Sequence, residues 1–137
     1  MIRYKVIDHP SDTGIEAFGK DKKELFENAA YGMMDLMFEI KGRSPVFDFA
    51  PPKITLSADN VEALLVAWLS EIIYITDTHK VCLYLFEIKE LSDNQLEAMV
   101  AGGRIIKVKT GIKAVTFSQM KIEQTKGVWH TRIIFDV

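Results

Sequence analysis

The chain of 137 residues has little of what marks a secreted, membrane-spanning or disulfide-stapled protein. It contains one cysteine, Cys82, which excludes an internal disulfide and indicates a reducing compartment. No apolar run approaches the roughly 20 residues that a membrane helix needs. The start of the chain also lacks the charged-then-apolar layout of a signal peptide. These absences predict a cytoplasmic protein without a membrane segment.

Net charge is also low, because 17 basic and 19 acidic side chains leave a formal value of −2. We therefore expect no strong direct binding to nucleic acid, although a local basic patch stays open. Hydrophobic residues make up 48% of the chain and charged residues 26%, the mixture of an ordinary globular protein. The length predicts a single domain, residues 1–137, whose core is large enough to be stable without disulfide or metal cross-links.

Two amphipathic helices are predicted, each opened by a capping-box pattern. The first follows Asp21, with Glu24 three residues later, and carries a methionine stripe at helical spacing. We interpret this stripe as core packing, and a pliable binding surface is the alternative. The second helix follows Asp59, with Glu62 three residues later, and is predicted to end near residues 76–79.

Alternating and β-branched runs predict strands around and after these helices. The predicted strands span residues 4–7, 13–18, 53–56, 81–91, 95–101, 113–123 and 128–137. We interpret Gly102 and Gly103 as a turn, and another turn is predicted at residues 125–127. The pattern predicts an α+β fold: a mostly antiparallel sheet backed by the two helices.

Acidic groups cluster near both ends of the sequence. Asp8 and Asp12 flank a turn near the start, and Asp136 lies beside the α-carboxylate expected on Val137. Aspartates often only cap turns, and that interpretation stays open for the first pair. If the two ends meet, however, they form an oxygen-rich set suited to a hard divalent cation. Calcium tolerates such irregular ligands best, and magnesium or manganese are alternatives.

The other polar candidates have weaker patterns. His9 is expected to hydrogen-bond a neighbouring carboxylate, and His130 to lie on an exposed strand face. Lys113, at the start of a predicted strand, could balance the acids or meet a partner's phosphate or carboxylate if the strand order brings it close. Ser118 has no visible base and acid, so a catalytic triad is not supported. Cys82 is expected to be an inert core thiol.

Several ordered motifs of the chain are similar to those of one known protein family. The chain has Asp8-His9-Pro10-Ser11-Asp12-Thr13-Gly14 where that family has an Asp-His-Thr-Ala-Asp-x-Gly pattern. The helical stretches 24–33 and 64–71 are similar to family segments, and 113–118 is similar to its Lys-Ala-Val-Thr-Tyr-His motif. The final Phe-Asp-Val also matches the family's ending. Together, these motifs resemble the archease family, the accessory proteins of RtcB-type RNA ligases.

This resemblance implies an α+β fold and a role as a non-enzymatic activator. Family members promote guanylylation of the ligase, permit repeated turnovers in tRNA splicing and RNA repair, and bind a divalent cation. Carried onto this chain, the activating residues become Asp12, Lys113 and Asp136. The metal ligands become Asp12, Asp136 and Val137. Asp8 and His9 match the motif but have weaker claims as ligands.

The chain departs from the family pattern at two places. Pro10 and Ser11 replace Thr-Ala in the first turn, and Phe117 and Ser118 replace Tyr-His after the lysine. The second change removes two polar groups beside Lys113 and would alter a partner surface there. Two other functions stay open: a metal-dependent hydrolase acting on a phosphoester, and a chaperone-like interaction module.

Overall fold

The computed structural model describes residues 1–7, 12–43 and 47–137, and within these ranges the chain forms two helices and eight strands. The helices are α1 (Lys22–Met37) and α2 (Val61–His79). In chain order, the strands are β1 (Tyr4–Val6), β2 (Thr13–Gly19), β3 (Ile54–Ser57), β4 (Val81–Leu91), β5 (Gln95–Arg104), β6 (Ala114–Val115), β7 (Glu123–Thr125) and β8 (Val128–Asp136).

The strands form two antiparallel sheets. The first has the order β1-β2-β8-β6, with β7 also paired to β8, and the second has the order β3-β5-β4. Helix α1 packs mainly on β2 of the first sheet and β4 of the second, with smaller contacts to β1 and β8, and α2 covers β3, β4 and β6. The predicted α+β class is therefore confirmed, with the strands divided between two sheets. None of the helices within the described ranges is long and apolar enough to cross a membrane.

The capping residues explain where both helices begin. Asp21 caps α1, since its carboxylate accepts the Glu24 N–H at 2.8 Å, and Glu24 accepts the Lys20 N–H at 3.0 Å. The prediction for α2 is wrong by one residue, because Asn60 rather than Asp59 accepts the Ala63 N–H at 2.9 Å. Aspartate and asparagine are both favourable N-cap residues, and in the structure Asn60 takes this position.

The apolar stripes of both helices meet in one core. Trp68 of α2 is fully buried, and its indole N–H donates to the Phe26 carbonyl of α1 at 3.0 Å. Met33 and Met34 are fully buried and Met37 is 4% exposed, so the interpretation of the methionine stripe as core packing is confirmed. Fully burying side chains of this size contributes about 1.5–3 kcal/mol each.

Two strand predictions in the second half are corrected by the structure. Gly102 and Gly103 lie inside β5, opposite Leu83 and Cys82, and not in a turn. A Cβ on Gly102 would lie 1.9 Å from the Cys82 carbonyl oxygen, so the glycine permits close strand approach. The predicted strand over 113–123 is interrupted between β6 and β7, where Gln119 has a φ of 61°.

Candidate functional site

The last strand lies in the middle of its sheet and carries Asp136 to one end of the domain. β8 pairs with β2 on one side, with Thr13 opposite Phe135. It pairs with β6 on the other side, with Ala114 opposite Asp136. The side chain of Asp136 is exposed, whereas Phe135 is 4% exposed and belongs to the core. A central strand therefore holds this acid in a defined place.

Asp12 lies beside Asp136. It directly precedes Thr13, whose partner is Phe135, and Asp136 directly follows Phe135. Continuing this antiparallel register puts the two aspartates opposite each other, on the face away from the core. Asp12 is half-buried and Asp136 is exposed. The structure thus brings the predicted acids from the two ends of the sequence to the same end of one sheet.

Lys113 is joined to the same place through its backbone. Its N–H donates to the Asp136 carbonyl oxygen at 2.8 Å, directly before β6 begins at Ala114. The lysine side chain is exposed. We call Asp12, Lys113, Asp136 and Val137 the acidic tip. Asp12 and Lys113 directly precede β2 and β6, the two strands that pair with β8, so the sheet brings the backbones of these residues together at one end.

The donor chemistry of the acidic tip suits a hard cation. Two carboxylates directly opposite each other on paired strands repel. A divalent cation bound between them would remove that repulsion, because each carboxylate would then be attracted to the ion. Asp12 and Asp136 would hold such an ion, and calcium, magnesium and manganese all accept oxygen ligands. Within the described ranges, no group of three or more His, Cys, Asp or Glu side chains could hold a metal. Further oxygens would have to come from water, main-chain carbonyls or the rest of the first loop.

Two predicted candidates, Asp8 and His9, lie outside the described residues, as do Pro10 and Ser11. Their possible part in the site stays a prediction. Val137 lies within the described range and is 57% exposed, next to Asp136. Its proposed role as a ligand also stays a prediction. Phe117, which stands where the family motif has tyrosine, is 61% exposed.

A buried carboxylate near the tip was not found from the sequence. Asp35, in the last turn of α1, is 3% exposed and accepts a hydrogen bond from the Tyr4 hydroxyl. The ammonium group of Lys109 lies 3.9 Å from Asp35. Burial, and then the hydrogen bond to Asp35, raise the pKa of Tyr4 above its ordinary value. An acid in the last turn opposes the helix dipole, and this was the available signal.

The remaining polar candidates lie away from the acidic tip or in the core. His130 is on β8, with its side chain 22% exposed, so the prediction of an exposed position is only partly right. Its Nδ1 is 3.5 Å from Glu16, and its Nε2 is 2.8 Å from the Thr125 hydroxyl. Cys82 is fully buried, as predicted, and burial raises the pKa of its thiol to about 11.

The family model of the archease proteins matches residues 4–137 of this chain. The chain belongs to the archease family. The match includes both sheets, both helices and the four residues of the acidic tip. Membership therefore rests on nearly the whole domain and not on one motif.

Individual relatives and solved structures agree with this assignment. Protein archease of Thermoplasma acidophilum is 32% identical, over 99% of this chain and 94% of that relative. Protein archease of Methanosarcina mazei is 28% identical, over 98% of this chain and 96% of that relative. A solution structure of a Methanobacterium thermoautotrophicum protein covers both chains fully, with 30% identity and a TM-score of 0.75.

A more distant structure shows the same fold. The crystal structure of an archease from Thermotoga maritima, described as a possible chaperone, has a TM-score of 0.66 and 24% identity. It covers 97% of this chain and 96% of its own. Two independently determined folds therefore confirm the α+β architecture on which the acidic tip is built.

Proposed function

We propose that the protein is a non-enzymatic activator of an RtcB-type RNA ligase, promoting guanylylation of the ligase and repeated turnovers in tRNA splicing and RNA repair. One observation carries the proposal: β8 brings Asp136 beside Asp12 and Lys113 in a chain of the archease family. The acidic tip would enter the nucleotide site of the ligase. The cellular compartment expected for this task is the cytoplasm.

The chemistry required of an activator here is positioning. Guanylylation transfers the guanosine monophosphate group of GTP to a side chain of the ligase and releases pyrophosphate, and such transfers depend on orientation and charge stabilisation. When bound, a divalent cation would neutralise phosphate charge and fix its orientation. Asp12 and Asp136 would hold this ion, of which calcium is the first candidate and magnesium or manganese the alternatives. In a chain that ends at Val137, the terminal carboxylate would add oxygens.

Lys113 would supply a positive charge that binds phosphate, which the carboxylates of the acidic tip cannot do. Its backbone bond to Asp136 keeps it next to the acids, and its exposed side chain can reach outward to a phosphate. An ammonium group is a compact donor of the kind that binds phosphate as a point charge. Because three adjacent strands hold the groups, little reorganisation would be needed when the tip meets the ligase.

The test is a guanylylation assay with purified ligase and the conservative variants Asp136→Asn and Lys113→Gln. Both keep side-chain size, so β8 and β6 should fold as before. We expect each to lower stimulation by about 100-fold, the typical effect of removing one group that stabilises charge in a transition state. Unchanged stimulation by Asp136→Asn would contradict the proposal.

Matched controls lie at the other end of the domain. The ammonium group of Lys22, the first residue of α1, is 3.0 Å from Asp93, whose side chain is 77% exposed. Lys20 lies just past the end of β2 and is also exposed. Since β2 is about 20 Å long, these residues lie far from the acidic tip. Asp93→Asn and Lys20→Gln should therefore stimulate the ligase as the wild type does.

The same assay separates the alternatives. Turnover of a phosphoester by the isolated protein, lost in Asp136→Asn, would favour the metal-dependent hydrolase. A chaperone-like activity would need a surface other than the methionine stripe, because Met33, Met34 and Met37 are buried. Suppression of aggregation without any stimulation of the ligase would favour that activity.

A further inference from the structure

The loop between β5 and β6 lies in a stretch of the chain that has basic residues and no acidic ones. Five of the 17 basic residues, and none of the 19 acidic ones, fall within residues 98–122. Four of them, Arg104, Lys107, Lys109 and Lys113, lie in residues 104–113, and all four are exposed. We call residues 104–112 the basic loop, which leaves Lys113 to the acidic tip. This stretch has basic side chains and no acidic ones in a chain with a net charge of −2, although buried Asp35 lies 3.9 Å from Lys109 and exposed Glu39 is bonded to the Lys107 main chain.

The basic loop lies at the same end of the domain as the acidic tip. Helix α1 runs back along β2, since Asn28 donates to the Phe18 carbonyl at 2.7 Å and a Cβ on Gly32 would lie 2.8 Å from the Ile15 side chain. The end of α1 is therefore level with the start of β2, where Asp12 lies. The basic loop pairs with this end: the Lys109 N–H donates to the Met37 carbonyl at 2.8 Å.

Exposed aliphatic side chains alternate with the charges. Ile106 is 59% exposed and Val108 is 62% exposed, with Lys107 between them. Scattered surface apolar residues are ordinary, but an apolar centre with a charged rim is the make-up of a protein interface. The basic loop is also held in place, because the Lys107 carbonyl accepts the Glu39 N–H at 3.0 Å and Lys109 pairs with buried Asp35. A fixed loop loses little entropy on binding.

We propose that the basic loop is a docking surface for a partner protein that presents an apolar patch with an acidic rim, next to the site that receives the acidic tip. This inference rests on the proposed function, which makes that partner the ligase. The exposed basic side chains of the basic loop, Arg104, Lys107 and Lys109, are complementary to an acidic rim on such a partner. RNA is disfavoured as the occupant, because single-stranded RNA is held largely by stacking of its bases on aromatic side chains, and the exposed apolar residues of the basic loop, Ile106 and Val108, are aliphatic.

The two surfaces then have separate tasks. The acidic tip sets how much the ligase is stimulated once the complex has formed, whereas the basic loop sets how readily the complex forms. Rim charges act mainly on the association rate and on its salt dependence. The desolvated aliphatic centre acts mainly on the dissociation rate.

The experiment titrates each variant against the ligase, measuring the half-saturating concentration and the plateau of stimulation, with direct binding in parallel. Lys107→Glu combined with Arg104→Glu should raise the half-saturating concentration about tenfold at low salt and less at high salt, with an unchanged plateau. Ile106→Thr combined with Val108→Thr keeps β-branched shape and should weaken binding by a similar factor, with little salt dependence. Lys20→Glu combined with Lys23→Glu, which changes the net charge by the same four units at two exposed residues of the far end, should behave as the wild type.

Each result has a defined meaning. If the loop variants bind and stimulate as the wild type does, the inference is overturned while the proposed function stands. If the loop variants bind more weakly but neither they nor the wild type stimulates the ligase, the proposed function fails and the docking surface stands. Absence of any complex between wild type and ligase overturns both. Binding of a labelled single-stranded RNA that is lost in Lys107→Glu would replace the protein partner with RNA.

Discussion

Removing the Tyr4 hydroxyl should destabilise the protein more than its size suggests, because that hydroxyl donates to a buried carboxylate. Asp35 is 3% exposed, and the ammonium group of Lys109 lies 3.9 Å from its carboxylate. A hydrogen bond to a charged group contributes about 1.5–3 kcal/mol to folding. In Tyr4→Phe the ring still packs against α1, so the loss isolates the hydrogen bond to Asp35.

The expected change can be converted into a melting temperature. Unfolding entropy near 60 °C is about 2.1 cal/mol/K per residue, or about 0.29 kcal/mol/K for a domain of this size. A loss of about 2 kcal/mol should therefore lower the Tm by about 7 °C. Urea unfolding should give the same loss in the free energy of unfolding with an unchanged m value.

A double-mutant cycle shows whether the effect belongs to the pair. Asp35→Asn and the combination with Tyr4→Phe complete the cycle, and we expect a coupling energy of about 1–2 kcal/mol. Tyr74→Phe is the matched control, because Tyr74 is 63% exposed and should change stability by less than about 0.5 kcal/mol. A Tyr4→Phe protein as stable as Tyr74→Phe would refute the reasoning.

Three further predictions concern the core and the chain end. Burial raises the pKa of Cys82 to about 11, so the folded protein keeps a proton that the unfolded chain releases from about pH 9. Stability should therefore fall as pH rises between these values, less so in Cys82→Ala, and thiol reagents at pH 8 should react only after unfolding. Gly102→Ala should cost about 3 kcal/mol or more in urea unfolding, because its Cβ would lie 1.9 Å from a carbonyl oxygen. Gly111→Ala, with nothing within 4 Å, should cost little. Extending the chain beyond Val137 should weaken calcium binding measured by calorimetry, and equal affinities would remove its carboxylate from the site.

Local chemistry was enough to predict the helices and most strands. The Asp21–Glu24 spacing predicts the start of α1, and the observed cap confirms it. The alternation over 81–91 predicts β4 with its observed bounds. Both signals are contained in a few consecutive residues, because a cap satisfies its own first turn and a strand alternates along its own length.

Predictions failed where a local signal had two meanings. A Gly-Gly pair is compatible with a turn and also with a strand that a neighbouring strand approaches closely. Only the pairing of β4 with β5 shows that Gly102 and Gly103 are the second case. Asp59 and Asn60 are adjacent and both suit an N-cap, so the local sequence does not decide between them, and the structure has Asn60 as the cap of α2. The burial of Asp35 could hardly be predicted from the local sequence, since the hydroxyl that it binds is 31 residues away.

The sequence by itself determined the type and approximate bounds of the elements and, through ordered motifs, the family and its candidate residues Asp12, Lys113 and Asp136. Only the tertiary structure decided that these residues meet, because β8 enters between β2 and β6 and its register puts Asp136 next to the other two. It also decided that the basic loop folds against the end of α1, beside them. Pairing between distant strands depends on the whole core, and no short stretch of sequence records it.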